Sequence, residues 1–310
     1  MTESDGNSSD VGMAVVMAAL SILAIIFNGL GLLIVHYNPV LANIFGKLCF
    51  SRCLANMGAC TIFLLWAAPL TIVQSSRLAT SVLGKIVGQT FFFCWVLCVY
   101  CHLAIAINRF VAIAFPLKVI HFTTLWKTRL MISLPWIVAL LHVIPFFWYS
   151  SCYFIYNPVL WSWKYSDTVC GLIQANYLDE YAGFVIFGFI AVLDMLTLFL
   201  LRQSNKVVSE MVFDYRKVPK DDQIVKRRRK IQWKFFLQSC IQGGIFCFEL
   251  TSFYIFSQLN DNKYFVFFTS TFVSLMCRLL DGFVLICFHI KSYQRQRAAS
   301  AISAQKPTFG

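Results

Sequence analysis

Seven long apolar stretches, roughly 11–36, 47–72, 85–113, 129–149, 180–203, 232–258 and 264–290, run through this 310-residue chain. About 20 apolar residues span the hydrocarbon of a bilayer as a helix. Inside lipid every backbone N–H and C=O must find its partner within the segment, which makes helix the expected form of each stretch. Composition agrees: 59% of the residues are hydrophobic and only 13% charged, where a soluble domain carries about 25% charge. The expected fold is an all-α membrane protein, a seven-transmembrane helix bundle over 11–290. An extracellular N-terminus (1–10) and a cytoplasmic tail (291–310) flank it. Met1–Asp10 is polar and acidic with no basic lead, so the first helix is expected to be its own insertion signal.

Orientation follows from the basic residues beside the spans. One side collects Lys47, Arg52, Arg109, Lys118, Lys127 and Arg129, then the dense run between the fifth and sixth stretches, and Lys291, Arg295, Arg297 and Lys306. The other side holds Arg77, Lys85, Lys164 and Lys263. This asymmetry predicts a multi-pass plasma-membrane protein with the N-terminus outside and the C-terminus in the cytoplasm. The formal charge of +12 is therefore expected to meet anionic membrane lipid, above all at Lys226–Lys230, rather than nucleic acid. Asn7-Ser8-Ser9 is then an outside sequon, a candidate glycosylation site. No internal repeat is evident, which counts against a transporter built from duplicated halves.

Polar residues inside the stretches are the first functional candidates, because each is costly in hydrocarbon unless it has a partner. Asn28, Asn56 and Asp281 can clasp across packed helices, either as a purely structural contact or as a polar switch. Arg278 lies one helical turn before Asp281 and is expected to neutralise it. Asp194 and Glu249 are intramembrane acids, which could line a pocket for a cationic ligand or sit protonated and silent. The aromatic crowd from Phe146 to Tyr165 fits an interfacial belt, and together could also lid an odorant-sized cavity. Cys152 and Cys170 are the two cysteines of the outer connections, 18 positions apart, and can bridge. Such a closure restricts the loop by about 3 kcal/mol in the chain-entropy picture. Cys94, Cys98, Cys101 and His102 share a helical face, but soft side chains in a lipid-embedded helix are ordinary packing, and no metal or other cofactor is expected. Neither His-Glu-x-x-His nor Gly-x-Ser-x-Gly occurs and no catalytic residue is assigned.

Asn108-Arg109-Phe110, followed by Pro116-Leu117-Lys118, resembles the cytoplasmic end of the third helix in rhodopsin-like G-protein-coupled receptors, where Asp-Arg-Tyr is usual. Asn28, Asn56 and Asp281 fall near that family's intramembrane polar positions. Trp136 with Pro145 is similar to its fourth helix, while the Trp-x-Pro of its sixth helix is missing beside Glu249. The family's usual outer bridge needs a cysteine atop the third helix; Gly84 and Lys85 stand there. A narrower likeness rests on Phe45-Gly46-Lys47-Leu48-Cys49-Phe50-Ser51-Arg52-Cys53-Leu54-Ala55-Asn56, the Asn-Arg-Phe box and the paired loop cysteines. Together they resemble nematode chemosensory receptors of serpentine receptor class x.

The resemblance implies a receptor, not an enzyme. A small extracellular molecule would be its ligand and a heterotrimeric G protein its partner, coupled through Asn108, Arg109, Phe110, Pro116 and Leu117. A peptide or amine receptor of the same architecture is the alternative, and a transporter or ligand-gated channel the more distant one.

Overall fold

The computed structural model describes residues 3–115, 125–148, 150–214 and 219–304, with side chains described for 8–115, 126–148, 150–203 and 230–294. Seven helical rods form a bundle. They are α1 (Glu3–Tyr37), α2 (Ile44–Ile62, continued through a π turn Phe63–Ala67 into Ala68–Val73), α3 (Val82–Ala114) and α4 (Leu125–His142). Then come α5 (Val169–Ile173, a π segment Gln174–Tyr181, then Ala182–Asp214), α6 (Pro219–Tyr254) and α7 (Lys263–Phe267, a π turn Phe268–Phe272, then Val273–Ala304). Six of the rods are long and apolar enough to cross a membrane. The exception, α4, is shorter and opens on Lys127 and Arg129.

The helix starts are written locally. Asn43, Ser81 and Thr168 each cap a helix by accepting a hydrogen bond from the N–H three residues on, at Gly46, Gly84 and Gly171 (3.0–3.1 Å). In each case the glycine leaves room for a carbonyl of the preceding turn. The fourth helix stops at His142, earlier than the apolar run to 149 suggests. Pro145 cannot continue it, and Ile144–Phe147 tightens into a 3-10 turn instead.

Packing places α3 at the centre, against α2, α4 and α5, while α1 packs on α2 and α7, and α6 on α7. The outside of the bundle is as apolar as the inside. On α5, Val185, Phe189, Val192, Leu196 and Phe199 follow one another at helical spacing and are all exposed, a stripe that only lipid can solvate.

The connection before α5 is not an open loop. Phe154–Asn157 (β1) pairs antiparallel with Ser162–Tyr165 (β2), with Phe154 opposite Tyr165 and Tyr156 opposite Trp163. Cys152 and Cys170 are bridged, as expected, tying the hairpin base to the start of α5. The hairpin sinks into the mouth of the bundle. Phe154, Tyr156, Trp161 and Trp163 are buried, whereas Phe147 and Trp148 just before it are exposed. The aromatic crowd therefore splits: Phe147 and Trp148 suit an interfacial belt, whereas Phe154, Tyr156, Trp161 and Trp163 form a plug.

Each neighbour holds that plug. Tyr156 shares a hydrogen bond with Thr71 of α2 (2.7 Å), and Trp161 donates to Asp10 of α1 (3.0 Å). Thr271 of α7 donates to the Trp161 carbonyl (2.6 Å), and these contacts hold Trp161 at φ 53°, a conformation unusual for a bulky residue. On α3, a methyl group on Gly88 would lie 1.7 Å from the Phe154 carbonyl oxygen.

Gly88→Ala is therefore expected to lift the hairpin from α3 and lower stability by about 1–3 kcal/mol. Gly243→Ala, at a helical position with nothing within 4 Å, should leave stability unchanged or raise it. Thermal unfolding of the two purified variants checks the contrast.

Candidate functional site

Among the described residues, the bundle interior holds three arginines, each on a carboxylate. Arg52 of α2 meets Asp281 of α7 (Nε to Oδ2, 3.0 Å), and both are almost fully buried. Arg278 of α7 meets Glu249 of α6 (2.5 Å), also buried. Arg109 of α3 meets Asp194 of α5 (2.6 Å). Removing charge from water costs several kcal/mol per ion even after relaxation, so each pair persists only because its partner is in place.

Asn28, Asn56 and Asp281 come together. Asn56 donates to Asp281 (2.7 Å) and to Asn28 (3.3 Å), and Asn28 donates to the carbonyls of Ala24 (2.8 Å) and Arg278 (3.0 Å). Three helices, α1, α2 and α7, meet there. Arg278 does not pair directly with Asp281, contrary to the one-turn expectation. A base placed before an acid is the weaker helical order, and each finds a shorter contact on another helix. Arg52 also departs from expectation. It counts among the basic residues of the cytoplasmic margin, but α2 begins at Ile44, which carries Arg52 more than two turns into the bundle.

At the other charged end, Arg109 donates to Asp194 and to the Phe236 carbonyl of α6 (3.1 Å), and its guanidinium lies 5.5 Å from the Phe236 ring. It is buried rather than free at the helix mouth. Asp194 thus belongs to this end and not to a pocket beneath the hairpin, because the start of α5 lies earlier than the sequence suggests and places Asp194 deep along the rod. Asn108 and Arg109 line an open cavity of about 440 Å³ with Asn43, Lys47, Thr128 and Gln232. Phe110 packs half-buried against the core. Pro116 and Leu117 lie outside the described residues, as does the Asn7 side chain.

Under the hairpin lies a second cavity, of about 30 Å³. That volume holds a water or two, far from odorant-sized. Its wall is aromatic: Phe91 and Trp163 stack at 4.2 Å with their planes 5° apart, and Phe154 stacks on Trp163 at 5.6 Å. Glu249 reaches it, with Ser274 donating to the same Oε1 that Arg278 holds (2.7 Å).

Asp179, hidden from sequence reading in the loop before the fifth stretch, is the other acid of this wall. It accepts from Trp95 of α3 (3.1 Å), from Tyr165 of β2 (2.5 Å) and from Tyr254 of α6. Burial and the Asp179 charge push the Tyr165 phenol well above its usual range, so it stays a donor. The adjoining pair Asp179-Glu180, just ahead of the apolar run, was the one available signal.

Seven helical rods, six of them of membrane-crossing length, with a disulfide-anchored hairpin over the bundle mouth and a buried arginine beside a cavity at the opposite end, have the architecture of the G-protein-coupled receptor fold. Squid rhodopsin's crystal structure superposes with a TM-score of 0.75, covering 98% of this chain and 89% of that one at 11% identity, a likeness of fold. The sequence matches the family described as serpentine type 7TM GPCR chemoreceptor Srx over residues 19–289, and the chain belongs to that family. Serpentine receptor class X 45 of Caenorhabditis elegans is 23% identical over 270 residues, covering 81% of this chain and 71% of that protein.

Removing one member of a buried pair should be far worse than removing both. Arg52→Met is expected to cost about 3–5 kcal/mol, and adding Asp281→Leu should recover most of it. Thermal melts of the three proteins in lipid nanodiscs provide the measurement.

Proposed function

We propose that this chemoreceptor sits in the plasma membrane with its N-terminus outside and activates a heterotrimeric G protein through the Arg109 end. The basic margins support that orientation. They also put Asn7, a candidate glycan acceptor, and the Cys152–Cys170 bridge on the oxidising side.

The observation that carries the reading is the Arg109–Asp194 clamp beside the 440 Å³ cavity. While Asp194 and the Phe236 carbonyl hold Arg109, α3, α5 and α6 are tied together at one point. Releasing the clamp would free Arg109 and the walls of the cavity for a helix of the G protein. Asn108, Phe110, Pro116 and Leu117 would extend the docking surface. A ligand below the hairpin would act by favouring the released arrangement, a population shift set by its differential affinity.

The small volume of the hairpin-end cavity describes the unliganded arrangement: a ligand must widen it. Asp179 sits where widening would be felt, since its three donors come from α3, the hairpin and α6. Asn28, Asn56, Asp281 and Arg278 would form the polar hinge between the two ends.

The test needs no ligand. In cells with a G-protein reporter, Asp194→Asn should raise basal signalling above wild type, because a clamp weakened by about 1.4 kcal/mol already changes the ratio of states tenfold. Arg109→Ala at equal surface level should abolish it. Basal signalling unchanged in both variants would remove the clamp from the mechanism.

A further inference from the structure

The charges around the hairpin-end cavity do not balance. Asp179 and Glu249 bring two carboxylates, and Arg278 brings one guanidinium, already engaged with Glu249 Oε1. The three partners of Asp179 are neutral donors, two phenols and an indole. Glu249 Oε2 is buried without a hydrogen-bond partner, on a side chain 2% exposed that forms part of the cavity wall. Arg278 Nε and Nη2 are buried without a partner as well. The imbalance at the site is therefore one of charge, the Asp179 carboxylate having no cation of its own, while Glu249 Oε2 remains an open acceptor on the wall.

Its remaining surface suits a cation. The stacked rings of Phe91, Trp163 and Phe154 present π faces, and Arg278 already lies 5.5 Å from the Phe91 ring and 5.7 Å from that of Trp95. An ammonium over such faces is attracted by the ring quadrupole, more so when water is excluded.

A vestibule adjoins the cavity. An open vestibule of about 280 Å³ is lined by Tyr165, Asp167, Glu180 and Tyr254, and it shares Trp163, Phe253 and Ser270 with the inner cavity. Lys164, also in the vestibule, is paired with Asp167 (3.3 Å), which leaves Glu180 as its acidic contribution. Between vestibule and cavity stand the hydroxyls of Tyr165 and Tyr254, both on Asp179.

We propose that the cavity accepts a small organic monocation bearing at least one N–H, an alkyl or one-ring ammonium, which takes Asp179 as counter-ion and donates to Glu249 Oε2. This rests on the reading of that cavity as the ligand site. The ammonium replaces the tyrosine hydroxyls on Asp179, and so loosens the tie between α6 and the hairpin as it binds. A neutral alcohol of the same shape leaves the charge uncompensated, and a carboxylate is repelled.

The test uses the purified full-length receptor in nanodiscs and matched compounds: 2-phenylethylamine, cyclohexylamine and n-hexylamine with their N-methyl derivatives, against 2-phenylethanol, cyclohexanol and n-hexanol. At least one amine should raise the unfolding temperature in a saturable way, its alcohol should not, and Asp179→Asn should weaken the amine by about tenfold or more. An alcohol as effective as its amine, an amine shift that survives Asp179→Asn, or no shift with any amine overturns the proposal. Should the variant fail to accumulate, the amine–alcohol contrast on wild type decides alone. An alcohol whose effect is lost in Ser274→Leu would keep the cavity as the ligand site and discard the cation. The coupling scheme stands or falls separately, on the basal signalling of Asp194→Asn.

Discussion

A guanidinium in hydrocarbon needs a carboxylate, and this bundle is arranged around three such pairings. Lipid tails solvate an apolar helix face as well as another helix does, so burial of Leu and Phe gives little net drive for the rods to associate. Arg52–Asp281, Arg278–Glu249 and Arg109–Asp194 supply specific joints instead, linking α2 to α7, α7 to α6 and α3 to α5. Each joint fixes the register of two helices, because sliding one past the other by a turn would strand two charges. The Asn28–Asn56 contact adds α1 to the same centre.

The joints differ in what surrounds them. Arg52–Asp281 and Arg278–Glu249 are closed into the core, and Arg109–Asp194 borders an open cavity, with Asp194 the more exposed partner. The first two therefore serve as fixed points, and the third is the one that water or a protein partner can reach. Rod α6 links the two ends of the molecule. It carries Tyr254 on Asp179, Glu249 on Arg278, Gln242 on the Asp281 carbonyl (3.0 Å) and the Phe236 carbonyl that receives Arg109. Gln238 on the same rod continues the polar line to His289 of α7 (2.7 Å). The same rod thus makes contacts at both the hairpin end and the Arg109 end.

Much of this was readable from residue order. The apolar runs mark seven rods because lipid leaves the backbone no alternative to helix, and Asn28, Asn56 and Asp281 stood out as polar groups in apolar surroundings. The loop bridge followed from two cysteines on one side. What stayed hidden depended on three-dimensional partners. Arg52, close after Lys47 at the start of the second apolar stretch, counts in sequence with the basic margin until the start of α2 is known. Asp194 and Glu249 look equivalent, two lone acids in apolar runs; only packing shows that one meets Arg109 and the other Arg278. Asp179 sits in a π segment at a helix start, where no apolar period signals a buried position. The hairpin has no distinct sequence signal, because its aromatic residues suit a membrane interface as well as a plug.

The central claim is that the Arg109–Asp194 joint keeps α3 and α5 together beside the open cavity while the two deeper joints keep the rest of the bundle in place. The most direct measurement is a pair of spin–spin distance distributions in nanodiscs, after the exposed Cys247 and Cys287 are replaced. One label pair sits at Arg129 and Lys230 near the cavity, the other at Arg77 and Asp261 near the hairpin. The account predicts that Asp194→Asn adds a longer population to the first pair and leaves the second unchanged. An unaltered first distribution, or equal lengthening of both, would contradict it.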